Sequence, residues 1–194
     1  IIIRRIGVGM VKRDFIRNII IALIAIFVLV LLRVFVFSTF RVHDDAANSY
    51  LSNGDVVVVN RNRQPQYKDF VVYEEDGTFY ISRVIATPGQ TATVMDDILY
   101  IDNVAKEEPY ISQMKSKYTA SSDSQMPFTS DFSIETLTDN KETKIPKGSY
   151  LVLNDDRQNT NDSRKFGLIK AKQIRGVVTF KLWPLSQFGF LTTE

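Results

Sequence analysis

The hydrophobic pattern divides the chain into two unlike parts. Residues 19–32 read IIIALIAIFVLVLL with no polar break; Arg33 interrupts the run and 34–37 resume it. A helix rising about 1.5 Å per residue over 16–37 would cross the roughly 30 Å hydrocarbon core of a bilayer. Backbone donors in lipid have no water to bond, so a spanning segment of this kind is helical. After Arg41 the apolar residues fall into short runs rich in β-branched and aromatic side chains. These lie at 55–60, 70–73, 78–85, 91–94, 98–101, 150–153 and 177–182. Most are too short for an isolated helix, and turn residues separate several of them: Asn53-Gly54, Glu74-Glu75-Asp76-Gly77, Thr87-Pro88-Gly89 and Met95-Asp96-Asp97. Asp76-Gly77 between two runs predicts a hairpin. The expected fold is mainly β, a coiled antiparallel sheet or partly open barrel preceded by one transmembrane helix.

Residues 106–147 break the pattern. The stretch SQMKSKYTASSDSQMPFTSD is rich in Ser and Thr and poorly periodic, which predicts a mobile surface insertion; its length also fits a small subdomain or binding element. The expected division is a basic arm over 1–15, a transmembrane helix over 16–37, and an outer β domain over 38–194 interrupted by the insertion.

Charge gives the membrane segment a direction. Of 24 Lys and Arg and 22 Asp and Glu in 194 residues, the first 41 residues hold seven basic residues and one acidic, Asp14. Lys12, Arg13 and Arg17 precede the apolar run, and the positive-inside tendency puts that end in the cytoplasm. Arg33 lies near the other end, within reach of headgroups. The mildly acidic remainder then lies outside the cell. Val36-Phe37-Ser38 loosely fits the cleavage site of a secretory leader. The apolar run is longer than a leader's core, however, and Arg33 sits five residues before that site, so an uncleaved single-pass anchor is expected. The acidic remainder lacks the basic stripe of a nucleic-acid binder.

Composition removes several chemistries. With no Cys and one His, His43, there is no disulfide framework, thiolate metal site, cysteine nucleophile, multi-histidine site or Ser-His-Asp triad. Walker, GxGxxG and GxSxG motifs are absent. Asp44 and Asp45, with Asp155 and Asp156, have the oxygen ligands that Ca²⁺ takes, but EF-hand spacing is absent and solvated turns are expected. No metal or cofactor is implied. His43 is expected at the surface.

Several segments together resemble the type I signal peptidases, membrane-anchored serine proteases with a Ser-Lys dyad. The resemblance runs through LLRVFVF at 31–37, FRV at 40–42, GDVVV at 54–58, YISRVIATPG at 80–89 and LYIDN at 99–103. Its most specific part is NDDRQNTNDSRKFG at 154–167, similar to the family's GDNR…S.DSR.FG box, and Trp183-Pro184 matches a common ending. It implies a β-rich outer domain with a shallow groove for signal peptides. It also implies a structural box formed by Asp155, Arg157, Asp162, Ser163 and Arg164, with Asp162 and Arg164 pairing beneath the site.

The departures fall on the chemistry. A family pattern like V-P-S-G-S-M-x-P-T-L-x-x-G-D aligns without gaps on VHDDAANSYLSNGD at 42–55. The nucleophile falls on Ala46, the next Met on Ala47, the Pro on Ser49, and the oxyanion-stabilising hydroxyl on Asp44. The lysine base, in a pattern like Y-[VI]-K-R-V-I-G, falls on Ser82. Alanine has no nucleophilic atom, serine is no substitute for a lysine of lowered pKa, and an aspartate repels a developing oxyanion. A one-residue slip puts Asp45 at the nucleophile's place but leaves Ser82 at the base's. Ser49 is an alternative hydroxyl that needs a new partner. Asp44, Asp45, Ala46, Ala47, Ser49 and Ser82 are therefore candidates for lining a peptide groove, and no catalytic residue is expected.

The resulting expectation is a non-catalytic, signal-peptidase-like membrane protein. It resembles the inactive members found with pilus assembly in Gram-positive bacteria, which implies a chaperone or scaffold role, with pilin subunits or precursor signal peptides and a sortase as partners. The alternatives are an active signal peptidase with unusual catalytic groups and a surface interaction module.

Overall fold

The computed structural model describes residues 6–43, 50–121 and 126–191. The chain separates into two compact units, 1–38 and 39–194.

The first unit is built on one helix, α1 (Ile6–Phe35). Its segment Arg13–Arg33 is long and apolar enough to cross a membrane, with a mean hydropathy of 2.9 and none of it buried. Within it, residues 19–32 are apolar on every side, leaving no polar face for a soluble surface helix. The helix begins earlier than 16–37 predicts and stops two residues sooner. Beyond Arg33 the sequence turns to alternating Val and Phe, poorer helix formers, and Arg33 donates to the Phe37 carbonyl at 3.2 Å. A guanidinium on the last carbonyls also suits the negative end of the helix dipole.

The second unit is mainly antiparallel sheet. The main sheet is ordered β1 (Phe37–Arg41), β2 (Val56–Asn60), β11 (Ile174–Trp183), β3 (Phe70–Glu75), β4 (Thr78–Ala86), β9 (Ser149–Leu153) and β10 (Ile169–Lys170), and β12 (Gly189–Phe190) also pairs with β11. A smaller sheet is ordered β7 (Val104–Lys106), β6 (Ile98–Ile101), β5 (Ala92–Met95) and β8 (Phe132–Ser133). Neither sheet closes on itself, so the open-sheet form of the expectation is the one adopted.

The tight hairpins come from residues that tolerate positive φ. Asp76 and Gly77 join β3 to β4 at φ 48° and 77°, Asp96 and Asp97 join β5 to β6 at 52° and 63°, and Asp102 and Asn103 join β6 to β7 at 50° and 63°. Two consecutive positive φ values match the right-handed twist of the flanking strands. At Gly176, β11 bulges where its register with β3 shifts, and a Cβ there would run into the Asn60 carbonyl of β2. Only glycine permits that approach.

The insertion is more ordered than its composition predicts. A 3₁₀ turn at Pro109–Ile111 leads into α2 (Ser112–Ser121), whose Met114 and Tyr118 are half-buried against the core, and α3 (Ile134–Leu137) follows β8. Tyr110, Ile111, Phe128, Phe132, Ile134 and Ile145 are buried in one core with Ile85, Leu99, Leu151 and Leu153. The expectation of a mobile surface loop fails because these six apolar residues, scattered without period, are all buried in that one core. At about 1.5–3 kcal/mol for each large apolar side chain buried, they hold the segment in place.

Candidate active site

The box residues lie between β9 and β10, where α4 (Ser163–Phe166) forms one short turn. Asp162 caps that turn, accepting from the Arg164 backbone N–H at 3.0 Å. The same carboxylate accepts from the Asn154 N–H at 2.9 Å and receives the Arg164 guanidinium on both oxygens, at 2.9 and 2.6 Å. Arg164 also donates to the carbonyls of Arg157 at 2.7 Å and Asn159 at 2.9 Å. Ser163 accepts from the Val152 N–H at 3.0 Å. One aspartate and one arginine thus tie β9, the 157–161 turn and α4 together.

Beneath this layer, Arg83 of β4 meets Asp155 in a two-pronged ion pair at 2.7 and 2.8 Å, with both side chains fully buried. The rings of Tyr110, Phe70 and Tyr50 lie 4.0, 4.2 and 5.2 Å from the guanidinium carbon. A planar, weakly hydrated cation suits this aromatic cage, and the fork geometry makes the pair directional. Arg157 meets Glu108 of the insertion at 2.5 Å, and Tyr110 donates to the same carboxylate oxygen at 2.6 Å. Two further Arg157 nitrogens, Nε and Nη1, are buried without an acceptor among the described residues. The insertion therefore reaches into the site's support, a link invisible from its Ser/Thr-rich sequence.

Ser82, in the lysine's place, is 1 % exposed on β4. Its hydroxyl donates to the Asn154 side-chain carbonyl at 2.7 Å and lies 3.0 Å from the Tyr73 hydroxyl, which itself reaches the Asn161 carbonyl at 3.4 Å. Asn154 donates onward to the carbonyls of Asn159 and Asn161 at 3.1 and 3.3 Å. Burial pushes the Tyr73 hydroxyl well above its ordinary value, against the opposing effect of the Ser82 hydrogen bond. Tyr73 therefore stays protonated at neutral pH and cannot act as a base, while Ser82 is too enclosed to attack a peptide.

Of the other candidates, Asp44, Asp45, Ala46, Ala47 and Ser49 lie outside the described residues. The ends of their segment are fixed. The Val42 N–H donates to the Asp55 carbonyl at 2.8 Å and the Gly54 N–H to the Val42 carbonyl at 2.9 Å. Val42 and Leu51 are fully buried in a core with Val57, Val59 and Phe70. His43 is exposed, its ring edge-on to Phe40 at 6.2 Å. Asp156 is exposed and accepts from the Gln158 N–H. Among the described residues no group of three or more His, Cys, Asp or Glu is arranged to hold a metal.

Residues 13–183 match the family described as signal peptidase, peptidase S26. The chain belongs to this family. It is 34 % identical over 172 residues to a protein named signal peptidase I of Bacillus caldolyticus, covering 86 % of this chain and 91 % of that one. It is 30 % identical over 186 residues to signal peptidase IB of Staphylococcus aureus strain MRSA252, covering 92 % and 95 %. It is 31 % identical over 191 residues to signal peptidase I of Streptococcus pneumoniae, covering 86 % and 92 %. A crystal structure of a signal peptidase I from Enterococcus faecalis superposes with a TM-score of 0.53 at 33 % identity, covering 60 % of this chain and 98 % of that one.

These findings correct the expectation of a non-catalytic protein. Relatives at 30–34 % identity over most of the chain are named signal peptidases, which points to an enzyme. The departures at Asp44, Ala46, Ala47, Ser49 and Ser82 are few beside the likeness over the rest of the matched length. Pilus assembly, pilins and a sortase appear in none of these names.

Sequence reasoning missed Arg83 and Lys181, both buried, as well as Tyr73 and Asn154. An arginine between Ser82 and the apolar Val84-Ile85-Ala86 end of the strand was the available signal for Arg83. For Lys181 the signal was blurred, because β11 shifts register against β2 on both sides of it and disturbs the inward–outward alternation.

Proposed function

We propose that this protein is a membrane-anchored signal peptidase acting on the signal peptides of exported precursors. In this reading α1 crosses the bilayer once, the basic arm is cytoplasmic and the β domain is extracellular. The observation that carries it is the family match over 13–183, which includes the apolar helix, the 42–55 segment and the box. The basic flank of the helix supports the orientation.

The chemistry asks for an oxygen nucleophile beside a base. With alanine at 46 and an enclosed serine at 82, the attacking group comes from outside the family pair. Ser49 is the only hydroxyl in the 44–49 sequence DDAANS. We assign it the attack, with a base from outside the family motif. The test is incubation of purified full-length protein in detergent with a precursor carrying an Ala-x-Ala site. Specific cleavage that disappears in Ser49→Ala is expected. No cleavage by the unaltered protein overturns the reading, and cleavage that survives Ser49→Ala overturns the assignment of the nucleophile.

A narrower form of the reading takes pilin subunits as the precursors, with a sortase as neighbour; the resemblance of the sequence is its only support. Intact surface pili after deletion of the gene would reject it.

A further inference from the structure

Residues 50–55, which follow the family's nucleophile position in the sequence, are tied to a lysine that the motif does not include. Lys181 of β11 is 4 % exposed. A buried ammonium needs an acceptor for each of its three protons. Lys181 has three at 2.7 Å: the Tyr50 carbonyl, the Gln187 side-chain carbonyl and the Asp55 carboxylate. The Asp55 carboxylate also accepts the Ser52 N–H at 3.0 Å, and the Asp55 N–H donates to the Ser52 carbonyl at 3.1 Å. One ammonium therefore joins the residue following 44–49, the residue entering β2, and the 3₁₀ turn Leu185–Gln187 after β11.

A buried lysine beside this segment invites assignment as the missing base, but the geometry excludes it. Its three acceptors at 2.7 Å surround the nitrogen and leave no side of it open to a substrate hydroxyl. A base needs a free lone pair. What the arrangement does is fix the Tyr50 carbonyl and the Asp55 carboxylate, the two ends of the 50–55 segment.

We propose that Lys181 is the positioning residue of the 50–55 segment, with Asp55 as its counter-ion. The turnover part of the test rests on the function proposed above; the structural part does not. In full-length protein in detergent, amide hydrogen exchange is compared between peptides covering 50–55 and 70–86 for the unaltered protein, Lys181→Met, Lys181→Arg and Asp55→Asn. Exchange in 50–55 should rise about tenfold in Lys181→Met and Asp55→Asn, while 70–86 stays within about twofold. With an Ala-x-Ala precursor, Lys181→Met should lower kcat about tenfold with little change in KM, and Lys181→Arg should recover most of it. Unchanged exchange in 50–55 overturns the proposal, as does an equal rise in both regions, the mark of a merely structural lysine. If Lys181→Met does not fold, Gln187→Ala removes one acceptor and keeps the ion pair; a rise of about two- to threefold confined to 50–55 then supports the proposal, and none refutes it. A protein that cleaves nothing refutes the proposed function and leaves exchange to decide this proposal.

Discussion

The floor and the rim of the site have diverged to different degrees. The floor, from Asn154 to Arg164 with Arg83 beneath it, keeps the family's residues at most positions and engages nearly every polar group. The rim, 42–55 with Ser82, keeps its two ends and changes the residues between. The difference follows from what each side chain holds. Asp162 serves a backbone N–H of β9, a helix cap and an arginine at once, and losing it would strand several buried groups. Ser82 holds one side-chain amide and one phenol, so a replacement that satisfies them costs little stability. Substitution at Ser82 is cheap for the fold, while substitution of Asp162 strands several buried polar groups at once.

The strongest test of that contrast returns the rim to the family pattern. Ala46→Ser combined with Ser82→Lys should raise cleavage of an Ala-x-Ala precursor by about 10³-fold, worth about 4 kcal/mol in the barrier. Either change alone should give almost nothing, because nucleophile and base act as a unit. A double variant no faster than its parent would mean that the floor no longer supports the chemistry.

The second test damages the floor. Asp155→Asn leaves the caged Arg83 cation without its counter-ion and should cost about 3–5 kcal/mol in chemical denaturation. Ser82→Ala, in the rim, should cost about 1 kcal/mol, the scale of one hydrogen bond. Equal losses would erase the distinction.

The smallest expected effect is in pH. Burial raises the hydroxyls of Tyr73 and Tyr110 above their ordinary value. Folded protein then keeps protons that the unfolded chain releases above about pH 10. Stability from these groups is complete below that pH and falls as pH rises past it. Tyr73→Phe should flatten this decline in denaturation series between pH 9 and about 11, and an unchanged slope would assign the alkaline loss elsewhere.

Much of the fold was legible in the sequence because its signals are local. The apolar helix, the Asp-Gly hairpin and the β-branched runs each carry their own period or turn chemistry. The insertion was not legible, because Phe128, Phe132 and Ile145 are buried by partners far away in the chain and follow no period of their own. In the site, the aligned ends of 42–55 and the 154–167 box could be placed from sequence. The Arg83 cage and the Lys181 junction depend on β4 lying beside β9 and β11 beside β2, pairings that no local pattern specifies.

The position of β11 bears on how this molecule is made. This long strand, formed late in the chain, lies between β2 and β3. A ribosome therefore delivers the two neighbours long before the strand that joins them, and until then each presents an open edge able to recruit a foreign strand. Completion of the sheet must wait for residues 174–183, so chains cut short before residue 174 should be substrates for quality-control proteases rather than smaller working versions.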